Sequence, residues 1–282
     1  MKNVIIRYIR IGLLNLCLII LHNGAMAGDI VKVIFYPDSM KYSCEKIMLL
    51  RDGIFALDGT SIVALENNNT RYDLPIPKRK SVDEIISTKF GDVIKAGKDL
   101  FLLNDTLTLL MSFDKDKYNI YPYQGDMIYV SYSDSKYNYL CGINIVNNQI
   151  GEILKLDETI ISVSHIDSKL FVTTKTNLYM FNNDGKCVRL LSAWEPFRSS
   201  VLTSNGILIG TDNSISLIVD EETFIPLIKT GCKKMYYGED NLYIYTPDNA
   251  LLRINFKEAM NVADINSSAL YLFPDKVMIE IK

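Results

Sequence analysis

Histidine sets the first limit on the chemistry this chain can do. It has two, His22 and His165, too few for a multi-histidine metal site. His165 is followed two residues on by Asp167. That is the spacing of a general base and its orienting carboxylate, because alternate strand residues share a face. Within "SVSHIDS" the pair reads better as the polar margin of a strand, with a structural, hydrogen-bonded histidine. No GxSxG elbow is present, which disfavours hydrolases of that type. No GxxxxGK[ST] or GxGxxG phosphate cradle occurs. "GDVIKAGKD" (91–99) lacks the spacing and reads as a turn between strands. The acidic stretches "FDKDKYN" (113–119), "NNDG" (182–185) and "VDEET" (219–223) do not complete a calcium loop. Asp-Gly in "NNDG" is explained by a tight hairpin. No cofactor or metal is therefore expected. A carboxylate pair for glycoside cleavage is defined by distance in space, and the sequence does not single one out.

Aromatic residues are the richer group. Tyrosine numbers 17, and the stretch from 118 to 140 holds Tyr118, Tyr121, Tyr123, Tyr129, Tyr132, Tyr137 and Tyr139. Tyrosine is amphipathic and favoured at recognition surfaces. It is also a good strand former. These seven are the candidate binding surface, for a glycan or a peptide, with wet strand tyrosines as the alternative.

The elements that would position them follow one rhythm. Apolar runs of four to seven residues, rich in Ile, Leu, Val, Tyr and Phe, are punctuated by Gly, Asn, Asp and Ser. That is strand and turn chemistry. "SVDEIISTKF" (81–90), with Ser81 and Glu84 spaced as a capping box, and "FKEAMNVA" (256–263) could make short helices. A phrase of strand, short turn and strand begins at Gly53, Asp99, Asp126, Lys169, Gly206 and Asn241, and a partial copy begins at Ala269. The first apolar anchors are Ile54, Leu100, Ile128, Leu170, Ile207, Leu242 and Leu270. Their mean spacing is 36, with two gaps of 28. Extra strands flank several copies, so the unit is a four-stranded meander. A period of ~40 with four strands is a propeller blade. The fold expected is all-β, a β-propeller of six or seven blades. It would be closed by the N-terminal strand at 30–37 together with the C-terminal copy, which removes open edges.

These phrases resemble the loosely repeating blades of secreted bacterial β-propellers, the PQQ-like, NHL-like and YWTD-like groups. The resemblance covers residues 44–282 at the level of pattern. "YWTD" and "WD" are absent, and Trp194 is the single tryptophan. The resemblance implies the fold and assigns no functional residue.

The N-terminus points to export. Lys2, Arg7 and Arg10 precede the apolar run 11–21, and "AMA" (25–27) fits a signal peptidase. A cleaved signal at 1–27 is expected, with a retained anchor as the alternative, leaving one domain at 28–282. That portion carries 27 basic and 33 acidic residues. No basic stripe exists, so nucleic acid and anionic membranes are disfavoured as partners. No second membrane-spanning run occurs. Cys44, Cys141, Cys187 and Cys232 remain, without zinc spacing. Buried thiols and one disulfide are equally compatible with them. The functional expectation is an exported, non-enzymatic binding or scaffold protein of the periplasm or cell surface, for a protein or glycan partner. The alternatives are an exported carboxylate-dependent hydrolase or lyase acting on carbohydrate or a lactone-like substrate, and a membrane-tethered assembly factor.

Overall fold

The computed structural model describes residues 31–35 and 42–259, apart from 52, 67–69, 115–116, 122–126, 167–168, 183–185, 219–223, 229 and 258. The expected signal at 1–27, the partial copy from Ala269, Tyr123, Asp167, residues 183–185 of "NNDG" and all of "VDEET" lie outside the described residues.

Among the described residues 24 strands form six four-stranded antiparallel sheets, the blades of a β-propeller fold. Blade 1 is β2 (Ile47–Leu50), β3 (Gly53–Asp58), β4 (Ser61–Ala64) and β5 (Arg71–Asp73). Blade 2 is β6 (Glu84–Thr88), β7 (Gly91–Ala96), β8 (Asp99–Leu103) and β9 (Leu107–Ser112). Blade 3 is β10 (Tyr118–Tyr121), β11 (Met127–Ser133), β12 (Asn138–Asn144) and β13 (Ile150–Leu156). Blade 4 is β14 (Ile160–Ile166), β15 (Lys169–Thr174), β16 (Asn177–Phe181) and β17 (Cys187–Ser192). Blade 5 is β18 (Ser199–Thr203), β19 (Gly206–Gly210), β20 (Ile215–Ile218) and β21 (Phe224–Ile228). Blade 6 joins β22 (Lys234–Gly238), β23 (Asn241–Tyr245) and β24 (Leu251–Asn255) to β1 (Val31–Phe35), which pairs with β24. The earliest described strand thus completes the blade of the last one.

The irregular spacing in the sequence has a definite cause. Leu100 lies on the third strand of its blade, whereas Ile54 and Ile128 lie on second strands. The second strand of blade 2 is β7, whose first apolar residue is Val93, and "GDVIKA" is a strand rather than a turn. The run 81–90 is not a helix either. Its core, Glu84–Thr88, is β6, because pairing with β7 outweighs an isolated capping-box pattern. Of "FKEAMNVA", the described residues Phe256, Lys257 and Ala259 are helical.

The second and third strands are buried on both faces, which is why they read as unbroken apolar runs. Ile94 and Phe101 of blade 2 pack with Phe55 and Leu57 of blade 1. Val93 and Leu100, on the opposite face, pack with Ile128 and Val130 of blade 3. Blades 3 and 4 share a cluster around Leu140 and Val172, and blades 5 and 6 one around Leu208 and Leu242. The described residues fall into two compact units, one carrying blades 1–4 within 40–197, the other blades 5 and 6.

The recurring turns have a shared chemistry. At the end of the second strand, buried Thr174, Thr211 and Thr246 each cap the hairpin that follows. Their hydroxyls accept from the amides of Asn177, Ser214 and Ala250 and sit within 3.2 Å of the carbonyls of the same residues. Between the first and second strands, Thr88 and Thr203 donate to the carbonyls of Gly91 and Gly206. Both glycines have positive φ, 135° and 138°. A Cβ there would lie 2.3 Å and 2.2 Å from the carbonyl oxygens of Leu103 and Ile218. "TKFG" and "TSNG" are therefore one turn written twice.

The outer strands share a second device. A register shift skips Leu110 in β9, Ile153 in β13, Leu190 in β17 and Leu227 in β21. These are β-bulges, which twist an edge strand and interrupt its alternation. Adjacent apolar pairs such as Ile153-Leu154 are their sequence trace.

Candidate binding surface on the third blade

Strand register decides where the candidate tyrosines go. Tyr118 opposes Tyr132, Tyr132 opposes Tyr139, and Tyr139 opposes Lys155. Directly opposed residues share a face, so these four form one row across blade 3. Tyr121 opposes Tyr129 on the other face. The odd spacing of Tyr129 and Tyr132 on one strand requires this split.

The row runs from core to surface. Tyr118 is buried against Phe113 and donates from its hydroxyl to the Asp99 carbonyl of blade 2. Burial, then the charges of Asp83 and Glu84, push its phenol pKa up. Tyr121 and Tyr129 are buried as well, and the Tyr121 hydroxyl donates to the Ile160 carbonyl of blade 4. These three fasten blade 3 to its neighbours. Tyr132 and Tyr139 are half-buried and stacked, with centroids 5.2 Å apart and planes at 17°. The Lys155 ammonium lies 3.7 Å from the Tyr137 ring centroid and 5.4 Å from that of Tyr139. Lys136 sits 4.9 Å from Tyr137. Both lysines are exposed, so each cation–π contact is worth about 0.5–1 kcal/mol.

Asp134 organises the hairpin. Its Oδ1 accepts from the backbone amides of Lys136 and Tyr137, both at 2.7 Å, and its Oδ2 from the Tyr139 hydroxyl at 2.7 Å. That hydrogen bond, with desolvation and the Asp134 charge, pushes the Tyr139 phenol up to about 12. Asp134 and Lys155 escaped the sequence reading. "SDSKY" carried the signal for the first, since Asp two residues before an amide is an Asx turn. Lys155 had none, because it arrives from another strand.

A second polar node lies where blade 3 leads into blade 4. Glu158 accepts from Thr174 Oγ1 at 2.5 Å, Asn177 Nδ2 at 2.6 Å, the Tyr179 hydroxyl at 3.0 Å and Thr176 Oγ1. Partial burial pushes its carboxyl up, but the four donors outweigh that and hold it below the usual range. Other blades fasten the residue ahead of their first strand to the same hairpin. Asp83 accepts from the Gly97 amide, Arg198 grips Asp212 through two nitrogens, and Lys233 donates to Asn249. A fully donated carboxylate of this kind is a fastening, not a free base.

His165 is partly buried in β14 opposite Leu170. Among the described residues no group of three or more His, Cys, Asp and Glu side chains could hold a metal ion. Among them also, no helix is long and apolar enough to cross a membrane. Cys141 and Cys232 are buried free thiols and Cys187 is an exposed one. Burial, then the Asp212 charge, push Cys232 up to about 12.

Six four-stranded blades define a β-propeller protein, and comparison with known proteins agrees at the level of fold. No protein-family model matches the chain, and no curated protein matches its sequence. Solved structures do. One is the extracellular domain of BT4673, a putative one-component system from B. thetaiotaomicron, at TM-score 0.55 and 15% identity, covering 79% of this chain and 40% of that one. PorZ, a bacterial surface component of the type-IX secretion system of Porphyromonas gingivalis, matches at TM-score 0.52 and 12% identity over 79% of this chain and 37% of its own. A putative gluconolactonase matches at TM-score 0.58 and 9% identity, covering 80% and 91%. The chain thus spans about two-fifths of the length of the first two. At these identities the likeness concerns the fold alone.

Proposed function

We propose that the protein is an exported, non-enzymatic binding or scaffold module that recognises a protein or glycan partner at the β11–β12 hairpin of blade 3. The observation that carries this reading is the half-buried group of Tyr132, Tyr137 and Tyr139 with the Lys155 ammonium against the rings of Tyr137 and Tyr139. Stacked phenols held by Asp134 offer a flat, rigid apolar surface with polar margins, and rigid aromatics contribute contact area at low entropic cost. Export is supported by the pattern of residues 1–27 and by likeness to an extracellular domain and to a surface component. The mature chain would be 28–282, a single domain.

Affinity capture from the native envelope fraction and a glycan array, each run with wild type and Tyr137→Ala/Tyr139→Ala, test the reading. Loss of a specific ligand by about tenfold or more in the variant, ~1.4 kcal/mol, is the expected result. Unchanged binding in the variant overturns the assigned surface. Turnover on a glycan or lactone panel, with no partner captured, would favour the carboxylate-dependent hydrolase instead. N-terminal mass spectrometry decides between cleavage after Ala27 and a retained anchor.

A further inference from the structure

Blade 3 has an outer strand unlike the others. β13 is seven residues long, among the described residues its sheet pairs it only with β12, and Ile150 and Ile153 on it are 47% and 42% exposed. An open edge of this length is a template for another strand. Among outer strands longer than three residues, β13 alone carries both an acid and a base, Glu152 and Lys155. β21 contains Pro226, β9 has no charge, and β1 and β17 each have a single base.

The bulge changes what those charges mean. Three residues apart on a regular strand, Glu152 and Lys155 would face opposite ways. Here Glu152 opposes Cys141 and Lys155 opposes Tyr139, two residues of β12 on one face. Leu154 opposes Leu140 on the other face. Ile153 joins it, its Cδ1 lying 3.1 Å from where a Gly142 Cβ would be. From Gly151 to Leu156 the faces therefore read back, front, back, back, front, back. That order is the same in reverse, with its centre between Ile153 and Leu154.

We propose that β13 pairs antiparallel with β13 of a second copy of this chain, about a two-fold axis between Ile153 and Leu154, making a continuous eight-stranded sheet. In that register Glu152 of each copy stands opposite Lys155 of the other, twice. Ile153 stands opposite Leu154 of the other copy, also twice, on the opposite face. A slip of one or two residues either way sets side chains from opposite faces against each other, so the bulge selects one register. Two-fold symmetry makes the edge self-complementary, and cross-strand opposite charges favour it while like charges oppose it. Edge charges usually keep strands apart; this pair excludes other partners and admits a copy of itself. The inference does not rest on the binding reading above.

Sedimentation of the full purified chain, under reducing conditions so that Cys187 cannot cross-link copies, tests it. A reversible dimer is expected. Lys155→Glu or Glu152→Lys alone sets like charges opposite each other and should raise the dissociation constant about tenfold or more. Glu152→Lys/Lys155→Glu together should restore it to near wild type. Circular dichroism confirms that each variant is folded. A wild type that stays monomeric up to ~1 mM overturns the proposal. So does a dimer indifferent to either reversal, or one that the double exchange fails to restore.

Discussion

At the scale of single residues, tyrosine does two jobs in blade 3, divided by strand face for Tyr121 and Tyr129 and by depth along the shared row for Tyr118. Tyr118, Tyr121 and Tyr129 point between blades, where their hydroxyls or rings satisfy and fill the packing. Tyr132, Tyr137 and Tyr139 gather at a hairpin with Lys155. Asp134 is the residue on which that hairpin depends, since one carboxylate receives two amides and a phenol. The Tyr139 phenol is raised first because ionising it would break the hydrogen bond it donates to Asp134, then by desolvation and by the Asp134 charge. Asp134→Asn removes that charge, and the Tyr139 pKa should fall from about 12 toward the ordinary value of ~10. Ultraviolet difference titration against Tyr139→Phe isolates this one tyrosine. An unchanged midpoint would mean that Asp134 is not its acceptor in solution.

At the scale of elements, every blade is a meander, and in blades 2, 4, 5 and 6 threonine caps a turn and a residue just ahead of the first strand is tied to the blade's own hairpin. Blade 4 has the most fully donated of these ties, Glu158. Replacing it with Ala takes one acceptor from each of Thr174 and Asn177, both buried, and leaves Thr174 the Asn177 carbonyl and Asn177 the Thr176 hydroxyl. The cost should be ~1–3 kcal/mol, the sum of lost hydrogen bonds worth ~0.5–1.5 kcal/mol each, read by chemical denaturation. The pH dependence has a fixed sign. A carboxyl lowered in the folded state stabilises the fold above the unfolded value of ~4.3, and that contribution is lost as pH falls through the folded value. Glu158→Gln should therefore show a shallower loss of stability than wild type on acidification below about pH 4–5. Identical acid limbs for the two proteins would exclude this role.

At the scale of the whole molecule, the fold depends on a strand distant in sequence. β1 and β24 are separated by more than 200 residues yet share a sheet. Without β1 the edge of β24 would be open and its backbone groups left to water. Deleting residues 28–36 should lower the melting temperature by on the order of 10 °C, from roughly 3 kcal/mol of lost pairing at 2–4 °C per kcal/mol. A melting temperature within about 2 °C of wild type would show that blade 6 is stable on three strands.

Strand content and the repeating four-stranded unit were determined by the sequence itself, because alternation, Gly and Asn turns and apolar runs are local properties of the chain. Glycine at 91 and 206 and threonine at 88 and 203 are of this kind: a turn needing positive φ must name its residue where it stands. The assignment of a phrase to second or third strand was not local. "DLFLLNDTLTLL" and "GIFALDGTSIVAL" look alike, and only pairing with β7 shows that Leu100 belongs one strand later than Ile54. The candidate surface was half legible. A count of tyrosines located the blade, but register decided which three meet and brought Lys155 to them from another strand. The bulge at Ile153 was decided last, by the packing of an outer strand against its neighbour. It alone turns Glu152 and Lys155 to one side, since side-chain direction along a strand is set by the ladder and not by the spacing of letters.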